Sequence, residues 1–415
     1  MSRTHIYIQP FDNLGVYTGT YIEVSDDVSL GGLGAIKRQI DNTEFDVGIL
    51  RFSNLSLKLR NDHGKYNDAG EPTSIFGFER TDSIVKITWE AGDHPLFAGF
   101  FDAGAGDAIL SEEVDVFYGL LNDDSSQSDI KDQTISFQVL GPESKFKKEV
   151  DTTTPITNGT LFSAALTTLI AASSVSTLPF ITGSSVTCGS DQTIDDVTSF
   201  SNKSYETLIG ELLLASNSVL IIGLDGVVTV KPRTETVAVQ YSFYGQASNI
   251  GIENIVDISN FKAGIQRVIN YITWDGVTGA ISDATSIARH GKRQKSFSLD
   301  FVTNATKQNN IRNSYLTEFA TAKREMVLSV LLRGNNIDID LLDKIDIDFP
   351  PIIIPSDETG FAIYGIAIYG VDRYPETGQN EFVYALDLDQ TTKWKVMGIT
   401  LDFKDDTIDL VLRET

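Results

Sequence analysis

The chain has 415 residues and only one cysteine, Cys188. A lone thiol excludes an internal disulfide and any cysteine-built metal cluster. Histidine is almost as scarce. His5, His63, His94 and His290 form neither an HExxH motif nor a close pair, so a zinc site would need long-range convergence with carboxylates. No continuous apolar run is long enough for a membrane helix. No secretory h-region stands near MSRTHIYIQPFDN. The expected history is synthesis and folding in cytosol, with final residence in a larger particle left open. Positive charge is in deficit: 33 Lys and Arg face 57 Asp and Glu, a formal net charge of −24. Such a chain stays soluble and resists casual contact with nucleic-acid phosphates. A wall that repels DNA can still let DNA slide past it.

Sequence signatures of catalysis are equally sparse. SLGGLGAIKR lacks the GxGxxG spacing, and turn flexibility explains Gly31, Gly32 and Gly34 better than phosphate binding. GxSxG is absent. Cys188, in VTCGSD, has no adjacent histidine and reads as a buried or incidental thiol. Asp338, Asp340, Asp346 and Asp348, then Asp405, Asp406 and Asp409, could offer hard-cation oxygens, but DFKDD is not an EF-hand loop. A solvated sheet face or an acidic channel wall is the better reading. Tyr271 and Trp274 in RVINYITWDG read as strand or interface aromatics. His290 lies beside Lys292, Arg293 and Lys295, a local positive patch better suited to protein contact than to nucleic acid. The expectation is therefore no enzyme, no catalytic, cofactor or metal residues, and no cofactor.

What is present is β-pattern. Hydrophobic residues make up 41% of the chain and aromatics 10%, which argues against wholesale disorder. The length favours two to four domains. Leu55, Leu57 and Leu59 alternate with Ser56, Lys58 and Arg60, predicting a strand with one wet face. Val85, Ile87 and Trp89 share a face, as do Ile135, Phe137 and Val139. A further strand is expected around Leu96–Phe101. A barrel or closed sheet through about residue 145 follows from this reading. Next comes a helix around Leu161–Ala172, then a Ser-, Thr-, Pro- and Gly-rich stretch with no assigned element.

SYETLIGELLLASNSVLIIGLDGVVTV reads as a unit. Ser204 caps a helix whose apolar stripe is Tyr205, Leu208, Ile209, Leu212 and Leu213. Asn217 helps end it. Val219–Ile222 then pairs with Val227–Val230 across Asp225-Gly226. Later, Ile311, Tyr315, Phe319 and Ala322 predict one helix face, and Met326, Leu328, Val330 and Leu332 a strand. Ile345, Ile347 and Phe349 alternate with Asp346 and Asp348. Two terminal strands joined near Lys404–Asp406 are expected to complete a closed C-terminal sheet.

In their order, these motifs resemble the baseplate or tail-tip hub proteins of long-tailed bacteriophages, a family that includes the central hub of contractile tails. NLSLKLRNDHGKYND with HPLFAGFFDAG resembles the first barrel, and SYETLIGELLLASNSVLIIGLDGVVTV the small helix-and-hairpin unit. RVINYITWDG and SIARHGKRQKSF resemble the stretch leading back to the second barrel. LLDKIDIDFP and WKVMGITLDFKDDTIDLVLRE resemble its remainder. The resemblance implies a mainly β fold with smaller α/β portions: two barrel-like hub domains plus peripheral helix-and-hairpin domains. The expected divisions are an N-terminal barrel-like domain at 1–145, a peripheral α/β domain at 146–235, a connecting β/α region at 236–325 and a C-terminal barrel-like portion at 326–415. It implies a homotrimeric ring joining the tail tube to tip or receptor-binding components and permitting DNA passage. The implied partners are distal tail or tail-tube proteins, central tip or fibre-bearing proteins and the tape-measure protein. DNA would transit without specific binding, direct membrane binding is not indicated, and the location is the virion's tail tip or baseplate. The alternative is a β-rich carbohydrate-binding or adhesion module at a viral or cell surface.

Overall fold

A computed structural model describes residues 4–42, 47–52, 55–68, 71–90, 113–129, 131–147, 156–200, 203–233, 238–245, 248, 251, 253–332, 338–350, 353–354, 381–382 and 388–415. The strand expected at Leu96–Phe101 lies outside them.

The first sheet is antiparallel and seven-stranded. Its order is β2 (Ile22–Glu23), β1 (Thr4–Gln9), β7 (Ile84–Glu90), β8 (Glu113–Asp129), β9 (Thr134–Leu140), β6 (Leu55–Arg60) and β3 (Val28–Leu33). β6 alternates as expected: Leu55, Leu57 and Leu59 are buried, while Ser56 and Arg60 are exposed.

The second sheet has eleven strands. Its main path is β10 (Gly183–Val186), β12 (Val227–Pro232), β11 (Ser218–Ile222), β5 (Val47–Phe52), β4 (Ile36–Asn42), β22 (Lys393–Asp402), β23 (Thr407–Glu414), β18 (Glu325–Leu331) and β14 (Ile255–Lys262). β19 (Lys344–Asp348) also pairs with β22, and it carries β13 (Val239–Tyr244). A small sheet of β16 (Val277–Ser282), β15 (Tyr271–Trp274) and β17 (Gln294–Phe297) stands apart, as does the pair β20 (Ile353–Ile354) and β21 (Glu381–Phe382). Four α-helices complete the described chain: α1 (Phe162–Ala172), α2 (Tyr205–Ser216), α3 (Ala284–His290) and α4 (Ala305–Phe319).

This corrects the expected architecture. The fold is mixed α/β and dominated by sheets, and among the described residues no sheet closes into a barrel. Two packing facts account for the difference. N-terminal strands β4 and β5 leave the first sheet and pair with β22 and β11 of the second. At the other end of the second sheet, β13 and β14 approach through Asn254, which donates to the Tyr244 carbonyl at 3.1 Å and accepts from the Tyr244 N–H at 2.8 Å. No ladder joins those two strands.

β5 differs from the half-wet β6. Its sequence VGILRF is buried on both faces. Val47 and Ile49 enter the core built by α1, α2 and α4, whereas Leu50 and Phe52 enter the core between the two large sheets. β11 divides in the same way, with Leu220 and Ile222 on the helix side and Val219 and Ile221 on the sheet side. A two-residue period thus separates two cores rather than core from water.

The helix-and-hairpin unit forms as its sequence dictates. Ser204 Oγ accepts from the Thr207 N–H at 3.1 Å. Asn217 takes the left-handed conformation that ends α2 (φ 54°). β11 and β12 pair antiparallel, Leu220 opposite Val230. Gly226 is required at the turn: its φ is 76°, and a Cβ there would stand 1.9 Å from the Phe180 carbonyl oxygen. The unassigned middle contributes β10, which adds in parallel to β12. Gly183, Ser184 and Ser185 are exposed, so this edge strand carries no apolar alternation. Ala322 falls beyond the end of α4, whose buried face includes Ile311, Tyr315 and Phe319.

Candidate functional site

The acidic residues singled out from the sequence are dispersed among ordinary partners. Asp340 pairs with the buried Arg38 at 2.8 Å. Asp346 was expected on a wet face but is buried, accepting from Ser242 at 2.9 Å and Lys393 at 3.0 Å. Its neighbours satisfy it, so burial costs little. Asp348 accepts from the Ser248 hydroxyl. Asp409 accepts from Ser329 at 2.6 Å. Asp405 and Asp406 are exposed in the β22–β23 turn. Among the described residues no group of three or more His, Cys, Asp or Glu side chains could hold a metal ion.

The histidines do not meet. His5 Nδ1 lies 2.9 Å from Glu23 on β2 and its Nε2 3.7 Å from Glu90 on β7. The Glu23 hydrogen bond raises its pKa against the effect of burial. His63 is exposed in a turn, His290 ends α3, and His94 lies outside the described residues. The Cys188 thiol is half-buried, and burial pushes its pKa up, the opposite of what a nucleophile needs. Gly32 lets β3 approach β6, since a Cβ there would stand 2.5 Å from the Lys58 carbonyl oxygen. Trp274 is buried beside Phe297, ring centroids 6.1 Å apart, whereas Tyr271 carries Lys292 Nζ 3.6 Å above its ring.

The surface is more informative than the interior. Asp12 Oδ1 accepts from the N–H groups of Leu14 at 2.8 Å and Val16 at 3.0 Å, fixing a tight loop. That loop holds Leu14 at 84% and Val16 at 59% exposure, beside Phe78 at 53%. Edge strand β14 exposes Val256 and Phe261, with Ile265 just beyond it. Clustered exposed apolar side chains of this kind mark contact surfaces. A positive corner contrasts with the acidic remainder. There Asn270 is fully buried; its Oδ1 accepts from the Arg293 N–H at 2.7 Å and its Nδ2 donates to the Gly291 carbonyl at 2.8 Å. This bracket positions Arg289, Lys292 and Arg293. The SIARHGKRQKSF patch was legible in the sequence. The Leu14–Val16 loop was not, because its apolar residues have no periodicity. No described helix is long and apolar enough to cross a membrane.

No protein-family model matches the chain, and no curated protein matches it in sequence. Solved structures do match in fold. The tail protein from Neisseria meningitidis MC58 is similar at TM-score 0.55 and 9% identity, over 99% of this chain and 96% of that one. The 43 kDa tail protein of prophage MuSo2 from Shewanella oneidensis is similar at TM-score 0.52 and 10% identity, over 99% of this chain and 97% of that one. Over almost its whole length, this chain shares its fold with these two tail proteins.

Proposed function

We propose that the chain is a structural, non-enzymatic component of a bacteriophage tail. More specifically, we propose a hub subunit at the tail tip or baseplate of the virion, synthesised in the host cytoplasm. The observation that carries this reading is the near end-to-end fold similarity to two tail proteins from different bacteria. A match at both ends of both chains argues for the same kind of building block rather than a shared module.

In this reading three copies form a ring that joins the tail tube to tip or fibre-bearing components, and the tape-measure protein and then DNA pass through it. The proposed building units are 1–145, 146–235, 236–325 and 326–415. The exposed Leu14–Val16 loop and the β14 edge supply contact surfaces with subunits or tail partners. A net charge of −24 suits a channel, because a cationic lining would retard DNA. Native mass measurement of the purified chain, alone and with its tail-tube partner, tests the ring. Three copies are expected in at least one condition, and a monomer in both contradicts it.

A further inference from the structure

Where the end of β12, the chain after α4, β19 and β22 come together, three cationic side chains surround one carboxylate and a fourth flanks them. Arg233 Nη1 stands 3.2 Å from Glu318 Oε1, and Lys323 Nζ stands 2.7 Å from the same oxygen. Lys395 Nζ donates to the Arg233 backbone carbonyl at 2.5 Å. Lys344 is the direct cross-strand partner of Lys395, so the two like charges rise from one sheet face. Glu318 thus faces Arg233, Lys323 and Lys395, with Lys344 beside Lys395, an excess of positive charge among the described residues.

Arg233 is the most constrained member. Only 3% of its side chain is exposed. It lies over the rings of Phe319 at 5.0 Å and Tyr315 at 5.7 Å, and its Nε donates to Asn217 Oδ1 at 2.8 Å. Its Nη2 is buried and, among the described residues, has no hydrogen-bond partner. A buried guanidinium N–H left unmade is costly, and structures rarely tolerate one without a reason. The lysines are only half-buried, so the cluster is reachable from solvent. Its electrostatics agree. Burial, then the nearby charges of Arg233, Lys323 and Lys344, lower the Lys395 ammonium to about 8 against the pull of Glu318. Burial pushes Glu318 up, but Arg233, Lys323 and Lys395 outweigh it and hold that carboxyl low.

We propose that Arg233, Lys323, Lys344 and Lys395 form an oxyanion-binding seat that takes a carboxylate or phosphate group from outside the chain. The arriving anion relieves the repulsion between Lys344 and Lys395. Charge-assisted bonds of this type are among the stronger polar contacts. An acidic side chain of a neighbouring protein and a free phosphate share this chemistry. The inference stands on the side chains alone and is independent of the tail reading.

The test is isothermal titration at low salt with two probes, inorganic pyrophosphate and a hexaglutamate peptide. The proteins are wild type and the Lys344→Gln/Lys395→Gln double variant. Glutamine keeps the stems and removes like charge, so the variant is expected to fold with an unchanged or raised Tm. Wild type is expected to bind at least one probe, and the variant to bind it about tenfold or more weakly. Binding of pyrophosphate alone identifies a free phosphate-type ion as the ligand; binding of the peptide identifies protein carboxylates. The bound probe is also expected to slow acylation of Lys395 relative to exposed Lys37. Failure to bind either probe, equal binding by the variant, or unchanged Lys395 labelling overturns the proposal.

Discussion

β6 and β5 are both six-residue strands, yet they do different work. β6 buries one face and wets the other, so it belongs to one core. β5 buries both faces and belongs to two: Ile49 packs with the helices and Leu50 between the sheets. Even its one charged residue obeys the division, because Arg51 is on the helix-side face and pairs with Glu206 of α2. The difference teaches where the molecule is welded. The seam formed by β5 and β11 makes two hydrophobic cores share a wall.

The harshest way to probe one-face against two-face burial is at β19. Ile347 is fully buried, and Asp in its place loses the apolar burial and strands a charge, costing about 4 kcal/mol or more. Asp348→Asn keeps an acceptor for Ser248 and is expected to cost less than about 1 kcal/mol. Denaturant melts of the two variants check this, and equal losses would break the facing assignment.

The seam itself is tested by Ile49→Ala and Leu50→Ala. Each is expected to cost about 2–5 kcal/mol through lost transfer energy and a cavity. Their footprints in hydrogen exchange should differ. Ile49→Ala loosens α2, and Leu50→Ala loosens β6 and β9. Identical footprints would mean that the strand does not separate two cores.

Glu143 sharpens the comparison through pH, since it sits against the same seam. Its Oε1 accepts from the Phe52 N–H at 3.0 Å, and its Oε2 is buried without a partner among the described residues. Burial raises its pKa to about 7, against the pull of the Phe52 N–H, Arg51 and Lys147. The folded state therefore holds this proton more tightly than the unfolded chain does. Its contribution to stability is complete below the ordinary carboxyl pKa of 4.5 and is lost as pH rises through about 7. Denaturant melts from pH 4.5 to 8 are expected to show that loss in wild type and a flatter profile in Glu143→Gln. Parallel profiles would contradict it. The smallest effect is local: Ser204→Ala removes the α2 cap and is expected to cost about 1 kcal/mol in the same melts.

Local structure was legible wherever one strand or helix decided its own fate. The Ser204 cap, the Asn217 terminus, the Asp225-Gly226 turn and the alternations of β6, β9 and β18 all follow from short-range chemistry. Closure was not legible. Whether β5 rejoins the first sheet or crosses to β11 depends on what covers its second face, and that cover is α2, more than 150 residues away in the chain. Asp346 failed for a similar reason: alternation put it in water, but Ser242 and Lys393 come from distant elements to satisfy it. The cation cluster had no sequence signal, because Arg233, Lys323, Lys344 and Lys395 share no window.

The most direct test of the account is imaging of the intact virus particle with this chain located in it. The account predicts density for the chain at the distal end of the tail, in a ring of three copies contacting the tail tube. Purified particles that lack the chain, or hold it away from the tail, would contradict it.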